Sequence, residues 1–207
     1  MQAPDVFWEM ERHLLEDRAP SQYLASIAHA PVLDLHPFHL LKAMQQTGQS
    51  PLHHPEGNVW NHTLLVVDEA AKRKDRSAHP RVLMWAALLH DIGKPATTKI
   101  RKGRITAYNH DKAGAVLAEK FLSALNQEPQ FISAVCHLIH YHMQILYVVK
   151  GLPFADIPGM MERTDLDEVA LLGLCDRLGR TGVDRRSEEE NIRQFLSLCR
   201  SHTAQTR

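Results

Sequence analysis

The chain has 207 residues, enough for one large or two small domains with a substantial core. Apolar residues make up 44% and charged residues 23%, an ordinary globular mixture that excludes disordered, collagen-like and disulfide-scaffold chains. Twenty-four Lys and Arg balance twenty-four Asp and Glu, so no global positive field draws the molecule to nucleic acid or to an anionic membrane.

In chain order, residues 5 to 16 and about 21 to 30 read as short amphipathic helices, and no basic n-region with an apolar stretch marks a secretion signal. PFHLLKAMQQTG reads as a helix opened by Pro37 and stopped by Gly48, followed by a Pro- and Gly-containing loop from 49 to 59. A helix is expected from His62 to about Lys74, and another from Pro80 through RVLMWAALLHDIG, closed by Gly93 and Pro95. Its run from Val82 to Leu89 is the longest apolar stretch, eight residues where a membrane span needs about 20. TTKIRKGRITAY carries β-branched residues on both sides of Lys102-Gly103 and is the hairpin candidate. Helices follow from about Asp111 to Leu125 and from Pro129 to about Val148, then a loop with Gly151, Pro153, Pro158 and Gly159 that has room for a short helix. Thr164 with Asp167 resembles a capping box before DEVALLGLCDRLG, and Ser187 with Glu190 another before the last helix. A frayed tail is expected from about Ser201. The fold class expected is all-α, with one short β-hairpin. Cys136, Cys175 and Cys199 form no Cys-x-x-Cys pair, which points to a reducing, cytoplasmic location.

Fourteen His outnumber the thirteen Phe, Tyr and Trp together, and their placement is informative. His90-Asp91 ends an apolar helix directly after Leu88 and Leu89, where an imidazole and a carboxylate without partners would each cost several kcal/mol. A divalent cation would satisfy both, taking nitrogen from one and oxygen from the other. His62 opens the preceding helix and so can face the end of its neighbour. Asp176 follows Val169, Leu172 and Gly173 at i−7, i−4 and i−3, which turns its carboxylate to an apolar, inward face. Each residue alone also has an ordinary reading, a packed or solvated His and an Asp paired with Arg177 or Arg180; the coincidence of all four favours a metal.

The pattern His62, His90-Asp91, Asp176 resembles the H…HD…D signature of the HD-domain metal-dependent phosphohydrolases. HHPEGNVWNHTLLVVDEAA, ALLHDIGKPATT, GRITAYNHDKAGA and LLGLCDRLGR are further similar to the HD region of bacterial tRNA nucleotidyltransferases, the CCA-adding enzymes, over about residues 37 to 182. The resemblance implies a helical bundle with the metal at its centre, an HD domain over 37–200, and a helical extension over 1–36 packed on it. His62, His90, Asp91 and Asp176 would be the ligands of one divalent ion, with His110 and His142 at further family positions and Asp91 bridging two ions. His137 and His140 lie about 140° and 200° round the helix from His142, so they are assigned to core or surface. His29, His36, His39, His53 and His54 are assigned to the surface.

About 60 residues precede His62, and they lack the Gly-Ser turn and Asp-x-Asp pair of the nucleotide-adding half. CCA addition is therefore not expected, and Asp165-Leu-Asp167 is read as a helix start. The activity the resemblance implies is hydrolysis of a phosphate ester by metal-bound hydroxide, as a phosphatase or phosphodiesterase, with Asp91 and Lys94 catalytic. The ion would be Mn, Ni, Fe, Co, Zn or Mg. Lys94 would clamp the substrate phosphate, with solvated Lys at a helix end as the plain alternative. Lys99, Arg101, Arg177 and Arg180 are further substrate-binding candidates, and Lys94, Lys99, Arg101, Lys102 and Arg104 form a basic rim that could draw in a phosphorylated small molecule or an RNA end, tRNA included, with a solubilising hairpin tip as the plain alternative. No membrane partner is expected. The alternative is a non-catalytic RNA- or tRNA-binding module with a structural metal; an alarmone hydrolase is a third reading.

Overall fold

The computed structural model describes residues 3–205. Its centre is α5 (Pro80–Leu89), started by Pro80 in the first turn and buried on every side from Leu83 to Leu89. A helix apolar all round belongs in an interior. Four helices enclose it: α4 (Val59–Ala71), α8 (Pro129–Tyr141), α11 (Leu166–Leu178) and α1 (Ala3–Glu16). The last docks through Phe7, whose ring stacks on Trp85 with centroids 4.5 Å apart. Trp85 Nε1 donates to Glu11 Oε2 at 2.9 Å, and Arg81 Nε donates to the same oxygen at 2.7 Å. That carboxylate satisfies an indole which would otherwise be buried unpaired.

The remaining elements are α2 (Ser21–Ser26), α3 (His39–Gln45), α6 (Lys94–Thr97), α7 (His110–Ser123), α9 (Gln144–Val149), α10 (Ile157–Arg163) and α12 (Arg185–Gln205), with two short 3-10 turns. One apolar core runs through them from Val6 to Cys199. Among the described residues the sheet content is a hairpin of β1 (Lys99–Arg101) and β2 (Arg104–Thr106), paired Ile100 to Ile105. Lys102 and Gly103 both take positive φ, 48° and 74°, the two left-handed residues a tight hairpin turn requires. The fold is all-α with this one hairpin, as expected.

Several boundaries differ from the sequence reading. Helix α4 begins at Val59 rather than His62, because Asn58 caps it by accepting from the Asn61 amide at 2.8 Å. Asp165, not Thr164, caps α11, accepting from the amides of Asp167 and Glu168. Helix α12 starts at Arg185, ahead of Ser187, and continues to Gln205, past the Ser201 where fraying was expected. The helix expected over 129 to 148 is two helices, broken at His142 and Met143. The imidazole of His142 donates through Nδ1 to the Ile139 carbonyl at 2.6 Å, while its amide reaches that oxygen only at 3.5 Å. A side chain has taken the acceptor that the helix would have used. The 21-residue stretch Pro129–Val149 has the length and hydropathy of a membrane span, but it is interrupted here and buries Phe131, Val135 and Ile139 in the core.

Candidate metal centre

The ends of five helices meet at Asp91. His62 sits in the first turn of α4, His90 and Asp91 follow α5, His110 opens α7, His142 follows α8, and Asp176 lies in the last turn of α11. All six side chains are buried. Close approach of the turn after Asp91 to α7 makes this convergence possible. A Cβ on Gly93 would lie 2.2 Å from the His110 carbonyl oxygen and 2.5 Å from the Gly114 amide nitrogen, so no larger residue fits. The chain enters α7 through Asn109, left-handed at φ 61°, a conformation that Asn tolerates better than most residues.

Distances to the Asp91 carboxylate are 3.3 Å from His90 Nε2, 3.4 Å from His110 Nε2 and 3.9 Å from His62 Nε2. Three of the imidazoles share one device. Nδ1 of His90, His110 and His142 each donates to the carbonyl three residues earlier, of Ala87, Ala107 and Ile139, at 2.8, 2.7 and 2.6 Å. With the proton on Nδ1, each Nε2 presents a bare lone pair to the cluster, the arrangement of metal-ligating histidines. Nε2 of His110 lies 3.2 Å from Nε2 of His142, and His90 Nε2 and both Asp91 oxygens, all buried, lack hydrogen-bond partners. Lone pairs and carboxylate oxygens facing one another out of water repel unless a cation lies among them. Two triplets, His62, His90, Asp91 and Asp91, His110, His142, bring one ligand atom each within 4.8 Å of one another, so Asp91 belongs to both.

On the far side His62 is paired differently. Its Nε2 donates to Asp176 Oδ1 at 3.0 Å, and Arg180 donates to both Asp176 oxygens at 3.4 and 3.2 Å. Glu56 Oε1 approaches His62 Nδ1 to 2.9 Å outside hydrogen-bonding direction, an electrostatic contact, and accepts from His54 Nδ1 at 2.9 Å.

The titration of the cluster follows from these contacts. Burial would lower the His62 pKa, but Asp176 and Glu56 outweigh it and raise it. Burial lowers His110, only partly offset by Asp91, and pushes His142 down to about 4 with help from charge on His110 and His90. For Asp91 and Asp176 burial acts upward, yet Lys94 with His90 holds the first well below the usual carboxylate range and Arg180 with His62 holds the second there. Burial likewise acts upward on Glu56, but His62, its own amide and His54 bring it to about 2.

Of the other sequence candidates, Lys94 is buried rather than solvated. Its Nζ lies 2.6 Å from Asp91 Oδ2 and donates to Gln49 Oε1 at 2.5 Å. Arg180 lines the cavity over the cluster, a space of about 170 Å³ also bordered by Lys94, His110 and His142. Arg177 does not: it donates to Glu188 Oε2 on α12 at 2.6 Å, because that acid lies beside its helix face. Lys99 and Arg101 stay on the exposed outer hairpin and do not line the cavity. His137 and His140 fall outside both triplets.

Three residues went unrecognised in the sequence. His54, read as surface, is partly buried against Glu56 with its ring 4.7 Å from that of His62, and burial lowers it to about 4. The other two are Gln49, which lines the cavity beside Lys94, and Glu56, which lies against His54 and His62. Glu56 sits in HHPEGNVWNH, where the Gly57-Asn58 helix start is the one signal that it is held near His62.

Comparison with known proteins agrees with this geometry. The HD domain family model matches residues 59–181. The chain is 31% identical over 194 residues to a multifunctional CCA protein of Aromatoleum aromaticum, covering 89% of this chain and 45% of that protein. Similar relatives of the same name are 28% identical in Teredinibacter turnerae, covering 86% of this chain and 43% of that protein, and 27% identical in Pasteurella multocida, covering 94% and 46%. The chain thus spans less than half the length of the relatives it matches. With a matched model over more than half its residues and His and Asp gathered at its centre, the chain belongs to the HD-domain family and is homologous over most of its length to the multifunctional CCA proteins.

Proposed function

We propose that this chain hydrolyses phosphate esters of nucleotides, cyclic phosphates or RNA ends with one or two divalent ions, as a phosphatase or phosphodiesterase. The observation that carries the reading is the set of three imidazoles whose Nδ1 protons are held by backbone carbonyls, leaving lone pairs turned to the cluster around buried Asp91, whose Oδ2 is ion-paired with Lys94 and whose Oδ1 has no hydrogen-bond partner. His62, His90, Asp91 and Asp176 would hold one ion, and Asp91, His110 and His142 a second. Nitrogen and oxygen donors of this mixture suit Mn, Fe, Co, Ni or Zn, and open positions admit Mg. When bound, such an ion lowers the pKa of water and withdraws charge from a phosphoryl oxygen.

The chain's own groups do the rest. Asp91 places negative charge where the ions bind, and Asp176, neutralised by Arg180, keeps His62 turned inward. Lys94 Nζ is fixed between Asp91 and Gln49 at the cavity floor, where it can exchange the carboxylate for a phosphate oxygen. Arg180 lines the same cavity and supplies a second positive charge. The three free thiols fit a cytoplasmic setting.

A non-catalytic RNA- or tRNA-binding module is the second reading. It is favoured by the CCA proteins among the relatives and by the basic hairpin. Elemental analysis of the purified protein, followed by assay on p-nitrophenyl phosphates, 2′- and 3′-nucleotides, 2′,3′-cyclic phosphates and tRNA ends, separates the two. Metal-dependent turnover of any ester supports the hydrolase; bound metal with RNA affinity and no turnover supports the module.

A further inference from the structure

The cavity over Asp91 does not end at the metal cluster. Past Ser50, His53, Ile105, Thr106, Ala107, His110 and Met143, which border both spaces, it opens into a groove of about 970 Å³. That is several times the space over the cluster and at the upper end of what a small-molecule site occupies. A phosphate group bound at Asp91 and Lys94 would leave it empty.

The groove is lined by Leu52, Tyr108, Tyr147, Leu152 and Phe154. This protein buries most of its large apolar side chains, yet here Leu52, Tyr108 and Phe154 are 82%, 64% and 66% exposed. Arg101 sets its guanidinium carbon 5.3 Å from the Tyr108 ring centroid, and Phe154 meets Tyr147 edge-on with centroids 5.6 Å apart. Gln144 fastens the Phe154 loop, its Nε2 donating to the Phe154 carbonyl and its Oε1 accepting from the Asp156 amide at 2.8 Å. The Phe154 loop is therefore held, not a loose tip. Exposed aromatic rings, one of them beside a cation, continuous with a phosphate-sized cavity, match a ligand with a planar base at one end and a phosphate at the other.

We propose that this groove is a nucleobase subsite in which Tyr108 and Phe154 offer stacking faces to the base of a nucleotide whose phosphate lies over Asp91. The proposal rests on the phosphate-ester reading for where the phosphate sits, and it adds that the base must be unpaired and is held by stacking in this groove, whether the nucleotide is free or at an RNA end. Removing one ring from a base stack loosens binding by roughly tenfold.

The test is calorimetric binding to the Mn-loaded protein of adenosine 3′-monophosphate, ribose 5-phosphate and inorganic phosphate, repeated with Tyr108→Ala, Phe154→Ala and Tyr108→Phe. Both positions are exposed, so the variants fold. The nucleotide should bind about tenfold or more tighter than ribose phosphate, with that advantage falling below about threefold in either Ala variant and kept in Tyr108→Phe. Nucleotide and ribose phosphate binding alike, or an advantage that survives both Ala variants, overturns the subsite. A single-stranded RNA bearing a 3′-phosphate distinguishes the sources: tighter binding than the mononucleotide, lost in Tyr108→Ala, identifies an RNA end, and equal binding with the same loss identifies a free nucleotide, both upholding the proposal. The two readings fail separately. A base preference without turnover of any ester removes the hydrolase and keeps the subsite, whereas turnover of p-nitrophenyl phosphate without base preference does the reverse.

Discussion

Two sides of Asp91 solve the burial of imidazole in opposite ways. His62 donates to Asp176, which is neutralised in turn by Arg180, so that side is a closed chain of opposite charges needing nothing from outside. His90, His110 and His142 give their protons to backbone carbonyls, and the nitrogens left facing inward include two acceptors 3.2 Å apart. The first arrangement stabilises the metal-free fold. The second is strained without a cation. The contrast teaches that ligand residues in one cluster can divide between holding the fold and demanding the ion, although the sequence writes them all as His and Asp.

The largest effect should come from Asp91→Asn, which strikes both sides at once. Metal content and ester turnover should fall together, turnover by roughly a thousandfold, since the ion's charge stabilisation is worth several kcal/mol. A folded Asp91→Asn variant that keeps its metal would break the assignment. The contrast itself is sharpened by stability measured in chelator. His62→Ala, leaving Asp176 buried with one fewer partner, should cost about 3 kcal/mol. His142→Ala should cost clearly less in chelator but remove much of the stabilisation gained on adding metal, and equal costs would erase the distinction. Gly93→Ala, whose new methyl meets the His110 carbonyl and the Gly114 amide, should lose about 1 to 3 kcal/mol and loosen metal binding through the His110 side first.

The two sides should also carry opposite pH signatures in the metal-free protein. His142 titrates in the fold at about 4 against 6.5 when unfolded, and His110 is shifted the same way. Between those values the unfolded chain takes up protons that the fold refuses, so this contribution is complete above about pH 6.5 and is lost as pH falls towards 4. His62 is raised, so its contribution is complete below its unfolded value and is lost as pH rises through the folded one. Denaturant melts of His142→Ala and His62→Ala across pH 4 to 9 should each flatten one limb only; a limb unchanged in both would show that other groups set it. The smallest effect is expected on the exposed hairpin. Lys99→Ala or Arg101→Ala should leave metal content intact and weaken binding of a phosphorylated ligand a few-fold at low salt, with the difference vanishing at high salt. Salt-independent binding would remove the hairpin from any steering role.

Much of this was legible in the letters. The period of the apolar residues gives the helices, and the longest apolar run, Val82 to Leu89, is the one whose helix the fold places at its centre. His90-Asp91 at the end of that run could not be buried without a partner, and Asp176 on an apolar face called for the same one. Helix boundaries were missed through local caps and the His142 contact with Ile139, whereas the roles of the basic site residues were settled by contacts between separate segments. Arg177 and Arg180 look alike in the sequence, but only the tertiary packing of α12 gives Arg177 an acid of its own and leaves Arg180 to Asp176. Lys94 reads equally as solvated or inward in the sequence, and Gln49, 45 residues earlier, holds it inward together with Asp91.

The sequence by itself determined which groups would be forced together, since periodicity and the cost of burying charge are local properties written in residue order. Three of the imidazoles turn by a local contact, each to the carbonyl three residues earlier. Only the tertiary structure decided what their other nitrogens meet, and that His62 donates to Asp176, 114 residues away, because those partners come from distant segments of the chain.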